Sequence, residues 1–143
     1  MKTSVLTMTD FPDAVTLYRA AAQAFPGLSE EGFCDALVRN LRRGSVLGIR
    51  REGRLAGIVI FSPPLSRISF LCVHPLYRRR GIGRALMERA LGSLGGCAEL
   101  FTYAPDNPRA PGAAYCLYRS LGFEEAGDIP GYETAVICMR KSN

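Results

Sequence analysis

The chain has 143 residues, 48% of them hydrophobic and 22% charged, with a net charge of +5. These values fit one globular domain spanning residues 1–143 and exclude a disordered or fibrous polypeptide. The longest apolar runs, such as Leu55–Phe61, fall far short of the roughly 20 residues a membrane helix needs, and Met1–Thr7 lacks a signal-peptide pattern, so a cytoplasmic protein with no membrane partner is expected.

Ser4–Met8 reads as a first strand, and Thr9-Asp10 caps a helix over 12–24 with Pro12 in its first turn. Phe25-Pro26-Gly27-Leu28 breaks that helix. Ser29 caps a second helix, running to about Leu41, whose Glu30 and Glu31 occupy the favoured acidic first turn. Ser45–Arg50 and Leu55–Phe61 form a hairpin around Arg51-Glu52-Gly53-Arg54, and Pro63-Pro64 stops its second strand. A strand over Ile68–Val73 leads into a helix over 83–94 that ends at Gly95-Gly96. A strand over Cys97–Tyr103 follows, then an irregular loop over 104–112 and a helix over 113–121 with Gly122 as its stop. Ala114, Leu117, Tyr118 and Leu121 share one face of that helix. Phe123–Gly127 and Tyr132–Arg140 are the closing strands, around Pro130-Gly131, and as exposed strands they are able to pair in a homodimer.

Chemistry concentrates at one junction, Val73-His74-Pro75-Leu76-Tyr77-Arg78-Arg79-Arg80-Gly81-Ile82-Gly83-Arg84. Two glycines at a helix start permit a tight turn and leave backbone N–H groups uncovered, where the helix dipole adds positive potential. Four arginines within seven residues reverse the usual preference for acids at this end of a helix, so the spot calls for an anion rich in phosphate oxygens. A dinucleotide fingerprint would need glycine where Leu86 stands, and a P-loop would need Gly-Lys-Ser/Thr; neither is present. The excess positive charge is local, not an extended stripe, so no nucleic-acid partner is expected. The five cysteines, Cys34, Cys72, Cys97, Cys116 and Cys138, are odd in number and never spaced Cys-x-x-Cys. They read as reduced, mostly buried thiols, and with His74 the sole histidine no metal site is expected.

The element order and two motifs resemble the GNAT superfamily of N-acetyltransferases over essentially the whole chain. Arg78-Arg79-Arg80-Gly81-Ile82-Gly83 is similar to the family's Gln/Arg-x-x-Gly-x-Gly/Ala loop for the pyrophosphate of acetyl coenzyme A. Ala114–Phe123 is similar to its helix ending in Leu/Phe-Tyr-x-x-x-Gly-Phe. The resemblance implies an α/β fold with a twisted, mixed six- to seven-stranded sheet, about four helices, and a splayed pair of parallel strands that forms the coenzyme cleft. It implies acetyl-CoA as co-substrate and a primary amine of a small molecule or peptide as acceptor, attacked directly in a ternary complex.

Carried onto this chain, backbone groups of Arg79, Arg80, Gly81, Ile82, Gly83 and Arg84, with arginine side chains including Arg78, hold phosphates. Leu71, Cys72 and Val73 receive the pantetheine arm, the Val73 N–H faces the thioester oxygen, and Asn107 and Ala114 line the cleft. Tyr118, otherwise a core aromatic, becomes the general acid for the departing thiolate. The family's strand acid has no counterpart in Arg67–Val73, which leaves Glu99, Asp106 and Glu133 as candidate bases and His74 as a structural residue. Cys116 is expected to be a buried small residue. The acceptor site is expected between Gln23–Leu28 and the closing strands near Tyr132. A coenzyme-binding sensor without turnover is the alternative, and a nucleic-acid or protein-binding module a third reading.

Overall fold

A computed structural model describes residues 1–108, 113–132 and 134–142. The elements run β1 (Ser4–Val5), α1 (Phe11–Ala21), α2 (Glu30–Arg43), β2 (Val46–Arg51), β3 (Arg54–Ser62), β4 (Arg67–Val73), α3 (Ile82–Ser93), β5 (Ala98–Tyr103), α4 (Ala113–Ser120), β6 (Glu124–Ile129) and β7 (Val136–Lys141). This is the order read from the sequence, with shifted ends. The first strand stops at Val5 because Met8–Asp10 wind into a 3-10 turn, and the last turn of the first helix tightens to 3-10 over Ala22–Ala24. Ser29 caps α2 as expected, accepting the Gly32 N–H at 3.0 Å; a cap of this kind contributes ~1 kcal/mol.

The strands make one seven-stranded sheet in the order β1-β2-β3-β4-β5-β7-β6. All neighbours are antiparallel except β4 and β5. Strands β2 and β3 lack sequence alternation because both their faces are buried. On one face Val46, Ile58, Ile60 and Cys72 pack with Leu17, Phe33 and Leu37 of α1 and α2. On the other, Ile49, Val59, Ile68 and Leu100 pack with Ile82, Leu86 and Met87 of α3 and with Tyr118. An aromatic chain runs through the first of these layers: Tyr18 stacks on Phe33 at 4.6 Å, Phe33 meets Phe70 at 5.3 Å, and Phe70 meets Phe25 at 4.7 Å.

Gly57 in β3 fixes where α3 lies. A Cβ there would stand 2.8 Å from Ile82 Cγ2 and 3.0 Å from Leu86 Cδ1. The bare backbone lets the first turns of α3 settle directly on the sheet. That close approach sets the helix N-terminus beside the end of β4, since Gly57 pairs with Val73.

Candidate active site

The site begins with an irregularity in β4. Ile60 pairs with Phe70 but Phe61 pairs with Ile68, so Ser69 is an extra residue, a β-bulge. Pairing between β4 and β5 is confined to Arg67↔Glu99 and Ile68↔Leu100, and it ends where the bulge begins. Beyond it β4 stays bonded to β3 as far as Val73, and β5 stays bonded to β7 as far as Tyr103. The two strands are thus held from outside and splayed apart within the sheet.

The bulge also decides which backbone groups face the gap. The His74 N–H donates to the Ala56 carbonyl at 2.7 Å, and in an antiparallel ladder such bonds fall on alternate residues. Phe70 and Cys72 therefore turn their N–H and C=O groups to β3, while Leu71 and Val73 turn theirs into the gap. The Val73 carbonyl accordingly meets a group from outside the ladder, the Arg78 Nε at 3.4 Å. Cys72, expected in the cleft, is corrected by this parity: its backbone is committed to β3, and its thiol is 2% exposed within the α1/α2 layer, where burial pushes its pKa up to about 12.

Next to the end of β4 stands the N-terminus of α3. Gly81 caps it with φ +79°, a conformation natural to glycine, and no side chain caps the helix. The first intrahelical bond runs from the Ala85 N–H to the Gly81 carbonyl, so the N–H groups of Ile82, Gly83 and Arg84 precede the ladder. No acid occupies the first turn.

The arginines around this turn are held differently. Arg80 lies over the Tyr77 ring at 5.5 Å. Arg79 is exposed and itself left-handed at φ +64°. Arg84 reaches away to donate to Ser120 Oγ of α4, which leaves its backbone N–H as its contribution to the turn. His74 Nδ1 accepts the Leu76 N–H at 3.1 Å in the short turn that follows β4.

Helix α4 supplies the third wall. Tyr118 is 6% exposed, edge-on to Phe123 at 6.0 Å, in the same layer against which Leu71 and Val73 pack. Burial alone raises its pKa well above the usual phenol value, so the hydroxyl keeps its proton, and no described residue hydrogen-bonds it. Ala114 is exposed on the same helix. Gly83 marks where the walls meet: a Cβ there would lie 3.2 Å from Leu117, 3.6 Å from Val73 and 3.8 Å from Leu71.

Several expected residues lie elsewhere. Asn107 is 4% exposed, and its amide nitrogen donates to Thr134 Oγ1 and to the Ala135 carbonyl at 3.0 Å, tying the loop after β5 to the approach to β7. In this structure its amide nitrogen serves the fold. Glu99 is excluded as a base. It bonds Arg67 at 2.6 Å and approaches Arg140 at 3.7 Å at the closed end of the strand pair, and the Arg67 guanidinium holds its carboxyl below the usual range. Cys116, expected to be buried, is exposed, and of the five thiols only Cys72 and Cys138 are fully buried. Asp106 is exposed beyond β5. Glu133 and the loop residues 109–112 lie outside the described residues.

Two features escaped the sequence reading: the bulge at Ser69, just before the unbroken apolar run Phe70–Val73, and Tyr103. The Tyr103 hydroxyl donates to the Pro26 carbonyl at 2.9 Å. A hollow lined by Asn40, Gly44, Ser45, Phe61 and Pro63 sits at the opposite end of β4 from this site.

A parallel pair opened by a bulge, a helix N-terminus with no capping side chain and a buried tyrosine meet at this end of β4, a combination suited to an acyl-coenzyme A transferase. The chain belongs to the acetyltransferase (GNAT) domain family, which it matches over residues 42–125; it is an N-acetyltransferase that moves an acetyl group from acetyl-CoA to an amine. It is 31% identical to the ribosomal protein bS18-alanine N-acetyltransferase of Salmonella typhimurium over 94% of this chain and 93% of that one. The crystal structure of the Escherichia coli ribosomal-protein-S18-alanine N-acetyltransferase is 29% identical with a TM-score of 0.74, covering 98% of this chain and 92% of that one. The PaiA N-acetyltransferase of Thermoplasma acidophilum, solved in complex with coenzyme A, shares the fold at 16% identity, with a TM-score of 0.73 over 99% of this chain and 98% of that one.

Proposed function

We propose that this enzyme acetylates the terminal amine of a polypeptide, and that the gap between β4 and β5 is where transfer occurs. The observation that carries the reading is the pair of inward-turned backbone positions, Leu71 and Val73, beside the uncovered turn of α3. The pyrophosphate of acetyl-CoA lies on the N–H groups of Ile82, Gly83 and Arg84 and on the guanidinium groups of Arg78, Arg79 and Arg80. The pantetheine arm runs along Leu71 and Val73 as an added strand and passes Ala114.

The thioester oxygen takes the Val73 N–H, a preplaced dipole that stabilises negative charge as it develops there. The neutral amine attacks the carbonyl carbon, the tetrahedral adduct collapses, and the C–S bond breaks. Tyr118 delivers its proton to the leaving sulfur as general acid, the ammonium of the adduct releases its proton to solvent, and the phenolate takes one back from solvent to close the cycle. The protonated hydroxyl of Tyr118 suits this part, since it meets no competing partner among the described residues.

Acceptor class follows from the same chemistry. Glu99 is neutralised by Arg67 and Arg140, and no acid stands on β4. A terminal amine of pKa about 8 is partly neutral near pH 7.5, whereas a lysine amine of about 10.4 is almost wholly charged, so a site without a strand carboxylate favours the former. The action of the Salmonella and Escherichia relatives on a ribosomal-protein alanine supports the same choice. The test is thiol release from acetyl-CoA with peptides, free lysine, polyamines and aminoglycosides as acceptors. Peptide termini are expected to give the highest kcat/KM; a polyamine or aminoglycoside ahead of every peptide would overturn the assignment.

A further inference from the structure

We propose that Tyr103 is a specificity-determining residue, whose bond to Pro26 straps the acceptor side of the β4–β5 gap and selects amines with little bulk on the adjacent carbon. The proposal rests on the reading of the gap as the transfer site. It starts from a contact between segments 77 residues apart in sequence, the Tyr103 hydroxyl and the Pro26 carbonyl at 2.9 Å.

Three attachments hold the segment between α1 and α2. Phe25 packs on Phe70 of β4 at 4.7 Å. The Tyr18 hydroxyl of α1 donates to the Leu28 carbonyl at 2.7 Å. Tyr103 supplies the third, and it comes from β5, at the last residue of that strand. Two neighbouring residues of the strap are therefore anchored to the two strands, Phe25 to β4 through Phe70 and Pro26 to β5 through Tyr103. Between those two points the strands are no longer paired, since their ladder ends at Ile68 and Leu100. The strap bridges the open part of the gap.

Its face of the sheet is settled by packing. Phe70 belongs with the α1/α2 layer, whereas Gly83, Leu117 and Tyr118, which flank the coenzyme's route, lie on the α3/α4 side. An amine approaching the thioester from the face opposite the coenzyme must pass the rings of Phe70 and Tyr103 beneath the strap. Those walls are aromatic. A slender amine end slides between such rings, and a branch on the carbon next to the nitrogen meets them. In hydrophobic passages, discrimination of about 10–200-fold per small group is usual.

Tyr103→Phe removes the hydroxyl and frees the Pro26 carbonyl while keeping the ring; Tyr103→Ala removes both. The measurement is kcat/KM for tetrapeptides identical except for a first residue of glycine or valine, with coenzyme A affinity followed by calorimetry. The wild-type protein is expected to prefer the glycine peptide by about tenfold or more, in the range such passages show. Tyr103→Ala should bring that ratio near one, Tyr103→Phe should fall between, and coenzyme affinity should change less than twofold in both.

A residue that only braces the fold would lower the melting temperature and all rates together, leaving the ratio where it was. An unchanged ratio in both variants therefore overturns the proposal, even with coenzyme binding intact. If Tyr103→Ala does not fold, the ratio in Tyr103→Phe decides alone. Failure of the wild-type protein to bind coenzyme A overturns the reading of the gap as well, and that result is read separately from the ratio.

Discussion

Gly83 offers a sharp separation of folding from coenzyme binding. A methyl at this position would sit 3.2 Å from Leu117 Cδ2, 3.6 Å from Val73 Cγ2 and 3.8 Å from Leu71 Cδ2. The last two are ordinary contacts, and the first is with the end of a side chain able to yield a few tenths of an ångström. Against that mild crowding, replacing glycine by alanine within a helix stabilises by ~0.5–1 kcal/mol. Gly83→Ala should therefore leave the free protein's melting temperature within roughly 2–4 °C of wild type, the shift that ~1 kcal/mol produces in a chain of this size.

On the proposed route, by contrast, the coenzyme arm crosses from the α3 turn into the gap past Gly83, and an added methyl there stands beside Leu71 and Val73. If the displaced volume costs ~1.4 kcal/mol, at the low end of overpacking penalties, affinity for coenzyme A falls about tenfold. Gly83→Val, larger and branched, should add ~1–3 kcal/mol of destabilisation and a further loss of affinity. Differential scanning calorimetry and isothermal titration calorimetry on the same preparations give both numbers. Gly83→Ala with wild-type affinity for coenzyme A would refute the route assigned to the arm.

Tyr118→Phe should lower turnover by about 10²-fold, as loss of a general acid does, with coenzyme affinity retained. Because burial raises the Tyr118 pKa, the folded state keeps a proton that the unfolded phenol loses near pH ~10; wild-type stability should thus fall as pH rises above about 10, and Tyr118→Phe should show less of that fall in pH-dependent denaturant titrations. Asn107→Ala should lower the melting temperature, since it removes buried bonds to Thr134 and Ala135, while coenzyme A affinity stays unchanged; an affinity loss without destabilisation would return Asn107 to the cleft. Glu99 is held below its ordinary pKa by Arg67, so its stabilisation is present above the unfolded value of about 4.3 and is lost as pH falls through the folded one. Glu99→Gln should accordingly melt lower than wild type at pH 7, with the gap closing toward pH 3 in a calorimetric series.

The junction and the element order were legible because each rests on local letters. Gly81 and Gly83 beside four arginines state their chemistry within one turn of helix, and Ser29, Pro63 and Gly122 punctuate the chain by their own backbone preferences. What escaped depends on partners far away in sequence. The Ser69 bulge is defined only by how β4 pairs with β3, and in the run Phe70–Val73 every side chain is apolar, so no alternation reveals which residue faces which layer. That one insertion decides that Leu71 and Val73, and not Cys72, turn their backbones into the gap.

Cys116 went astray for the same reason in reverse. A thiol suggests the core. Cys116 instead falls on the outer side of α4, away from Tyr118. Tyr103 reads as one more aromatic at a strand end until its hydroxyl is seen to meet Pro26.

The orientation of Val73 carries the account, and amide hydrogen exchange resolved by nuclear magnetic resonance measures it directly. In the free protein the Val73 amide, turned into the gap, should exchange rapidly while the neighbouring Cys72 amide, bonded in the β3 ladder, is protected. Acetyl-CoA at saturation should protect Val73 and leave Cys72 as it was. A Val73 amide already protected in the free protein, or unaltered by acetyl-CoA, would contradict the assignment of the gap as the site of transfer.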